Sequence, residues 1–148
     1  MKSGLIVTLC LLASACANQR AEREALLSPQ SQQLLGKYRQ FMTQRQVDEY
    51  LGWDSDEARE KYVEGLRVDE RLAGYPKPVQ DAIWRRDVIL GMDKPAVLLS
   101  LGAPPNREFS GAGGNEIETW SYVREQRKIA VVVTNGYVTD VIDQGFSR

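Results

Sequence analysis

Residues 128–142 read Lys-Ile-Ala-Val-Val-Val-Thr-Asn-Gly-Tyr-Val-Thr-Asp-Val-Ile, and this stretch decides the fold of the second half of the chain. Its Asn135-Gly136 pair is the strongest short signal for a hairpin turn, since both positions favour positive φ. The pair separates two runs rich in β-branched residues, Lys128–Thr134 and Tyr137–Ile142. Such runs on either side of a tight turn predict two antiparallel strands.

The predicted sheet continues upstream of this hairpin. Apolar and polar residues alternate over Glu116–Val123, which predicts a strand with Trp120 and Tyr122 on one face. The preceding stretch Asn106–Phe109 is expected to be extended. The link between them, residues 110–115, is rich in glycine like a phosphate-binding loop, but a strand follows it where such a loop needs a helix. We therefore interpret it as a hairpin loop.

A helix is predicted directly before these strands. Asp93 is a typical N-cap, and Val97 and Leu101 lie at helical spacing. Gly102, followed closely by Pro104, is typical of a helix end, because glycine adopts the left-handed conformation there and proline cannot continue the helix. The helix therefore ends where the extended stretch begins.

The region from residue 28 to residue 84 has helical periodicity throughout. Residues that favour helix starts recur along it, namely Ser28 before Pro29, Thr43 with Gln46, and Asp54 with Glu57. Apolar residues at helical spacing follow each start, and the helix after Asp54 is expected to bury Ala58, Tyr62 and Leu66. A last short helix is predicted around Val79, Ile83 and Trp84. Helices followed by an antiparallel sheet predict the α+β class.

The N-terminus has the pattern of an export signal. Lys2 precedes an apolar run, Leu5–Leu12, and small residues lead into Cys16. This run is far shorter than the about 20 residues that a transmembrane helix needs. Residues 1–15 are therefore expected to be removed as a signal peptide. An ordinary signal peptide, cut near Ala15 or Ala17 and leaving an unmodified protein, is the alternative.

The stretch Leu12-Ala13-Ser14-Ala15-Cys16 resembles the bacterial lipobox, although Leu12 lies one residue earlier than in the usual pattern. The resemblance implies cleavage before Cys16, acylation of its thiol and a membrane anchor through that lipid. Since Ala17 stands where many inner-membrane lipoproteins have Asp, it implies the periplasmic face of the outer membrane. The inner membrane and the soluble periplasm are the alternatives. Residues 16–27 are then expected to be a tether, with a frayed helix as the alternative.

A set of residues at fixed places runs through residues 86–143: Gly91 and Met92 before a short helix, Val97 in the helix, Leu101, Gly102 and Pro104 at its end, Trp120 and Tyr122 in a strand, and Asn135 and Gly136 in the last hairpin. With these residues, the stretch resembles the SmpA/OmlA domain of BamE-like outer-membrane lipoproteins. The family implies a small module with helices on an antiparallel sheet. The helical region 28–84 has no counterpart in that small body.

Composition argues against several kinds of chemistry. The chain contains no histidine, which is the commonest general base and transition-metal ligand. Cys10 would leave with the signal peptide and Cys16 would carry lipid, so no disulfide, metal or cofactor site is expected. With 19 basic and 20 acidic side chains, the chain has no positive excess for nucleic acid. We expect no catalytic residues.

The expected function is therefore that of a non-enzymatic, lipid-anchored accessory or scaffold protein. The family resemblance implies a role in outer-membrane protein assembly or envelope maintenance, with partners among envelope proteins such as the β-barrel assembly machinery. A periplasmic inhibitor or ligand-binding module is one alternative. A cell-wall hydrolase using carboxylates among Asp54, Asp56, Glu57, Asp69 and Glu70 is another. Arg124, Arg127 and Lys128 are candidates for contact with lipid headgroups.

Overall fold

The computed structural model describes residues 19–111, 115–124 and 126–146. Helices precede a four-stranded antiparallel sheet, which confirms the predicted α+β class. The chain forms two compact units, one ending at Val68 and the other beginning at Asp69. No helix in the described ranges is both long and apolar enough to cross a membrane. The predicted signal peptide and Cys16 lie outside the described residues.

Helices build the first unit. Helix α1 spans Pro29–Tyr38 and continues into a short 3₁₀ turn, Arg39–Phe41. Helix α2 spans Gln44–Gly52, and helix α3 spans Asp56–Gly65. Before each of these three helices, a capping side chain accepts a hydrogen bond from a main-chain N–H of the first turn, a group that has no partner within the helix.

In the first unit, two of the three predicted N-caps are confirmed and one is wrong. Ser28 accepts from the Ser31 N–H, and Thr43 with Gln46 forms a complete capping box. The cap of α3 is Ser55 and not Asp54, because the extended Ser55 lies directly before the helix, where its Oγ reaches the Ala58 N–H at 3.2 Å.

Residues 19–25 form a helix. In this part of the expected tether, the structure therefore agrees with the helical alternative. Two ion pairs fix this helical segment. Arg20 pairs with Asp48 at 2.8 Å, and Glu24 pairs with Arg39 at 2.7 Å. Both partners belong to the first unit, so the segment is part of that unit's body.

The core of the first unit forms where these helices meet. Its buried members are Leu27, Leu35, Val47, Tyr50, Leu51 and Val63. Tyr50 is fully buried, and its hydroxyl donates to the Ser31 carbonyl at 2.7 Å, so the ring is buried without an unpaired polar atom. On α3 the buried residue is Val63, whereas the predicted Ala58, Tyr62 and Leu66 are only half-buried.

The division between the units falls within helix α4 (Val68–Leu72). In the second unit, helix α5 spans Lys77–Trp84 and helix α6 spans Lys94–Leu101. The sequence placed α5 with the helical region that ends at residue 84. The structure places it in the second unit, because it packs against α6.

The sheet has the strand order β1-β2-β3-β4, and each strand is antiparallel to its neighbours. The strands are β1 (Asn106–Ser110), β2 (Ile117–Arg124), β3 (Arg127–Thr134) and β4 (Tyr137–Phe146). The turn between β3 and β4 is Asn135-Gly136 as predicted, and both residues have positive φ, 51° and 90°. The second unit buries Ala82, Ile83, Met92, Val97, Trp120, Tyr122, Val131, Val133 and Val138.

Candidate functional site

The segment before α6 is fixed to the start of β4 by main-chain hydrogen bonds. Gly91 donates to the Val138 carbonyl at 2.8 Å, and Val138 donates to the Met92 carbonyl at 2.8 Å. Lys94 N–H donates to the Gly136 carbonyl at 3.1 Å. Gly91 has φ +83°, a conformation that residues with a Cβ rarely adopt. These bonds set where α6 begins on the sheet.

The far end of α6 is also tied to the sheet. Val97 is fully buried, while Leu101 and Pro104 are half-buried. Gly102 ends the helix at φ +79°, and its carbonyl accepts from the Tyr122 hydroxyl at 3.1 Å. Burial of the ring raises the pKa of Tyr122 to about 12, so this hydroxyl stays protonated.

A buried carboxylate lies beneath α6 on the inner face of the sheet. Glu118 is only 3% exposed, and it lies between the Lys94 ammonium and the Trp120 indole. Lys94 Nζ forms an ion pair with Glu118 Oε1, and Trp120 Nε1 donates to Oε2 at 2.7 Å. The more exposed Glu116 is 3.7 Å from the same ammonium. Both oxygens of Glu118 are therefore hydrogen-bonded.

The electrostatics of this cluster follow from its contacts. The hydrogen bond from Lys94 lowers the pKa of Glu118 despite its burial, and the Trp120 N–H adds to that effect. The same contact raises the pKa of Lys94. The Arg107 guanidinium lies over the Trp120 ring, 4.4 Å from its centre, in a cation–π contact. At neutral pH the cluster therefore holds a stable carboxylate and not a proton donor.

Glu118 and Lys94 were not predicted as site residues from the sequence. A signal was present, because Glu118 shares its strand face with Trp120 and Tyr122, the two large aromatic residues that were predicted to lie on one face. A carboxylate on a buried face needs a cation, since an unpaired buried charge is very costly. Lys94 was the cation in the first turn of the nearby helix, but its register against β2 follows only from the tertiary fold.

The three candidates for headgroup contact lie around the turn between β2 and β3. Arg124 Nη1 donates to the Arg86 carbonyl, so the fold brings two charged turns together that are distant in sequence. Arg127 pairs with Asp143 across the hairpin. Lys128 is exposed. Arg127 is thus partly neutralised by Asp143.

Asp56, one of the candidate catalytic acids, is occupied by structural contacts in the first unit. Its Oδ1 accepts from Ser31 Oγ at 2.5 Å and from Ser28 Oγ at 2.8 Å. Arg59 Nη1 lies 3.4 Å away. The hydrogen bonds from Ser31 and Ser28 are the main cause of a lowered pKa of Asp56, and the nearby Arg59 charge lowers it further. The first turn of α3 is thereby joined to the start of α1.

The other candidate acids, Asp54, Glu57, Asp69 and Glu70, are exposed. Within the described ranges, no group of three or more Asp, Glu or Cys side chains is placed to hold a metal ion. The glycine-rich link between β1 and β2 is described only at its ends. A Cβ at Gly111 would lie 2.1 Å from the Asn115 carbonyl oxygen, so the turn requires glycine there.

Comparison with known proteins gives no relative from which a function could be transferred. No family model, no curated protein and no solved structure matches this chain.

Proposed function

We propose that this chain is a lipoprotein anchored through Cys16 to the periplasmic face of the outer membrane, where it acts as a non-enzymatic accessory or scaffold protein. The observation that carries the proposal is the N-terminal sequence, in which a basic residue, a short apolar run and small residues precede Cys16. Several acyl chains at this position would hold the body at a membrane surface. The resemblance of residues 86–143 to the BamE-like module supports a role in outer-membrane protein assembly or envelope maintenance.

The contacts of Asp56 and Glu118 argue against the hydrolase alternative. A hydrolase of the two-carboxylate kind needs one acid whose pKa is raised, so that it can donate a proton. Asp56 and Glu118 both have lowered pKa values, because cations and hydroxyl or indole donors stabilise their charged forms. Both carboxylates also connect separate elements of the fold, which is a structural use.

The first test is the intact mass of the protein extracted from membranes. We expect a mass that corresponds to loss of residues 1–15 and gain of acyl chains, with the protein in the membrane fraction. The C16S variant should lack the lipid and leave that fraction, whereas the C10S variant, with the same chemical change in the signal region, should be processed normally. An unmodified wild-type protein free in the periplasm or the medium would refute the anchor.

A second test separates the proposed role from its alternatives. The protein is recovered under native conditions from envelopes solubilised in mild detergent. Components of the β-barrel assembly machinery in stoichiometric amounts would support the scaffold role, and a single soluble enzyme would support an inhibitor. Cleavage of purified cell wall, abolished in a D56N variant, would support a hydrolase and refute the proposal.

A further inference from the structure

The two edges of the sheet differ in how their main chains are satisfied. An edge strand has N–H and C=O groups that point away from the sheet and can pair with another strand. At the start of β4 these groups are taken, since Gly136 and Val138 pair with the segment Gly91–Lys94. Further along, the Asp140 and Asp143 carboxylates accept from the N–H groups of Val141 and Gly145. The β4 edge is therefore largely closed.

The opposite edge is open in the described part of the chain. There, β1 pairs with β2 alone, and all five of its residues are exposed. Phe109 is 69% exposed, compared with 59% for Tyr137 in β4. The edge thus combines unpaired main-chain groups with an apolar side chain that has little cover.

The register assigns the side chains of β1 to two faces. Arg107 lies opposite Trp120, and Phe109 lies opposite Glu118, so both belong to the inner face of the sheet. Glu108 lies opposite Thr119 on the outer face. The cation–π contact with Trp120 holds the Arg107 charge on the inner face. A strand added here would meet an aromatic ring and a cation on one face and an anion on the other.

We propose that β1 accepts an extended segment of a partner protein as a fifth, antiparallel strand. The segment that fits places an apolar residue opposite Phe109, a basic residue opposite Glu108 and an acidic residue opposite Arg107. Main-chain hydrogen bonds supply affinity in this mode of recognition, and side chains on alternate faces supply selectivity. This inference rests on the proposed function, because it names the surface through which the body binds a protein.

A second copy of the chain fits this edge less well. Two β1 strands paired around a two-fold axis must be centred on one residue. Centring on Glu108 or on Arg107 sets like charges directly opposite each other, which is unfavourable. Centring on Phe109 leaves both charges without an opposite partner. Charge complementarity therefore favours a segment of different sequence.

The test uses two capped peptides of identical composition, Thr-Val-Lys-Glu-Thr and Thr-Val-Glu-Lys-Thr, titrated into the purified, unacylated protein at low salt. The first peptide places opposite charges across from both Glu108 and Arg107, and the second places like charges there. We expect amide NMR shifts concentrated in residues 106–110, and about tenfold tighter binding of the first peptide.

The E108K variant should reduce this preference to about onefold. Each peptide then has one residue opposite a charge of opposite sign and one residue opposite a charge of the same sign. The E60K variant makes the same charge change on exposed α3 and should keep the wild-type preference. Equal binding of the two peptides by wild-type protein, shifts outside β1, or a dimer with β1 already protected would overturn the proposal. Because the assay needs no lipid, its failure leaves the Cys16 mass test unaffected.

Discussion

At the scale of single residues, two carboxylates hold elements together. Glu118 joins α6 to the inner face of β2 through Lys94, and Asp56 joins α3 to the start of α1 through two serines. Each is kept charged by its partners, so each stabilises the fold only while it is ionised. Their removal should therefore cost more than the removal of exposed acids close by.

The Glu118→Gln variant should lower the free energy of unfolding at neutral pH by about 2 kcal/mol, because Lys94 and Trp120 lose a charged hydrogen-bond acceptor. Chemical denaturation of the purified protein measures this change. Glu116→Gln is the matched control, since Glu116 is exposed and only 3.7 Å from the same ammonium. It should change stability by less than about 0.5 kcal/mol.

The pH dependence of the same pair has a defined sign. A carboxyl with a lowered folded pKa stabilises the fold above its unfolded value of about 4.3, and this contribution is lost as the pH falls through the lower folded value. The stability difference between wild type and Glu118→Gln should therefore be constant above about pH 5 and shrink towards pH 3. A difference that grows on acidification would contradict this account.

The Asp56→Ala variant should destabilise the first unit more than Asp54→Ala does, because the hydroxyl of the fully buried Ser31 loses its acceptor. Asp54→Ala removes a carboxylate two residues away that is exposed and is not the helix cap. Thermal unfolding followed by circular dichroism compares the two. Equal losses of stability would show that helix-terminal charge, and not the serine contacts, is responsible.

At the scale of elements, turns and helix ends were the most predictable features. Asn135-Gly136, Gly102 and the Thr43 capping box act within a few residues of themselves, so their signals are complete in the local sequence. The prediction that Asp54 is the N-cap of α3 was wrong, because Asp54 and Ser55 are both residue types that cap helices. The helix begins directly after Ser55, so Ser55 is the cap. The Lys94–Glu118 pair and the Arg124–Arg86 contact were not predicted, since each depends on packing between distant segments.

Two glycine substitutions test the backbone account of these elements. Gly136→Ala should destabilise the protein by about 1 kcal/mol, because φ at this position is 90°. Gly36→Ala lies within helix α1, where a Cβ meets nothing within 4 Å, and it should stabilise the protein by about 0.5–1 kcal/mol. Opposite signs in the same denaturation assay are the expected outcome. A stabilising Gly136→Ala would show that the hairpin turn tolerates a different geometry.

At the scale of the whole molecule, the response of stability to pH near neutrality depends on histidine, the side chain whose ordinary pKa lies in that range. The chain contains no histidine. Burial also raises the pKa values of Tyr62 and Tyr122 to about 12, further from neutrality. No side chain with an ordinary pKa near neutrality is therefore present to change charge there.

The melting temperature should accordingly vary by less than about 2 °C between about pH 5.5 and pH 8. Differential scanning calorimetry in buffers of matched ionic strength measures it. A single-proton transition centred within this range would contradict the prediction, and would require a carboxyl or thiol group whose pKa is strongly raised or lowered.

The order of strands in the sheet has a consequence for how quickly the second unit forms. Each strand pairs with the next one along the chain, so the sheet assembles from hairpins with low contact order. The hydrogen bonds between Gly91–Lys94 and Gly136–Val138 instead close a long loop. Closing this loop costs chain entropy, so we expect these bonds to form after the hairpins. We therefore expect folding of this unit to nucleate in a hairpin such as β3–β4, whose Asn135-Gly136 turn favours local pairing. Contacts of α6 with the sheet that form after this step should mainly slow unfolding.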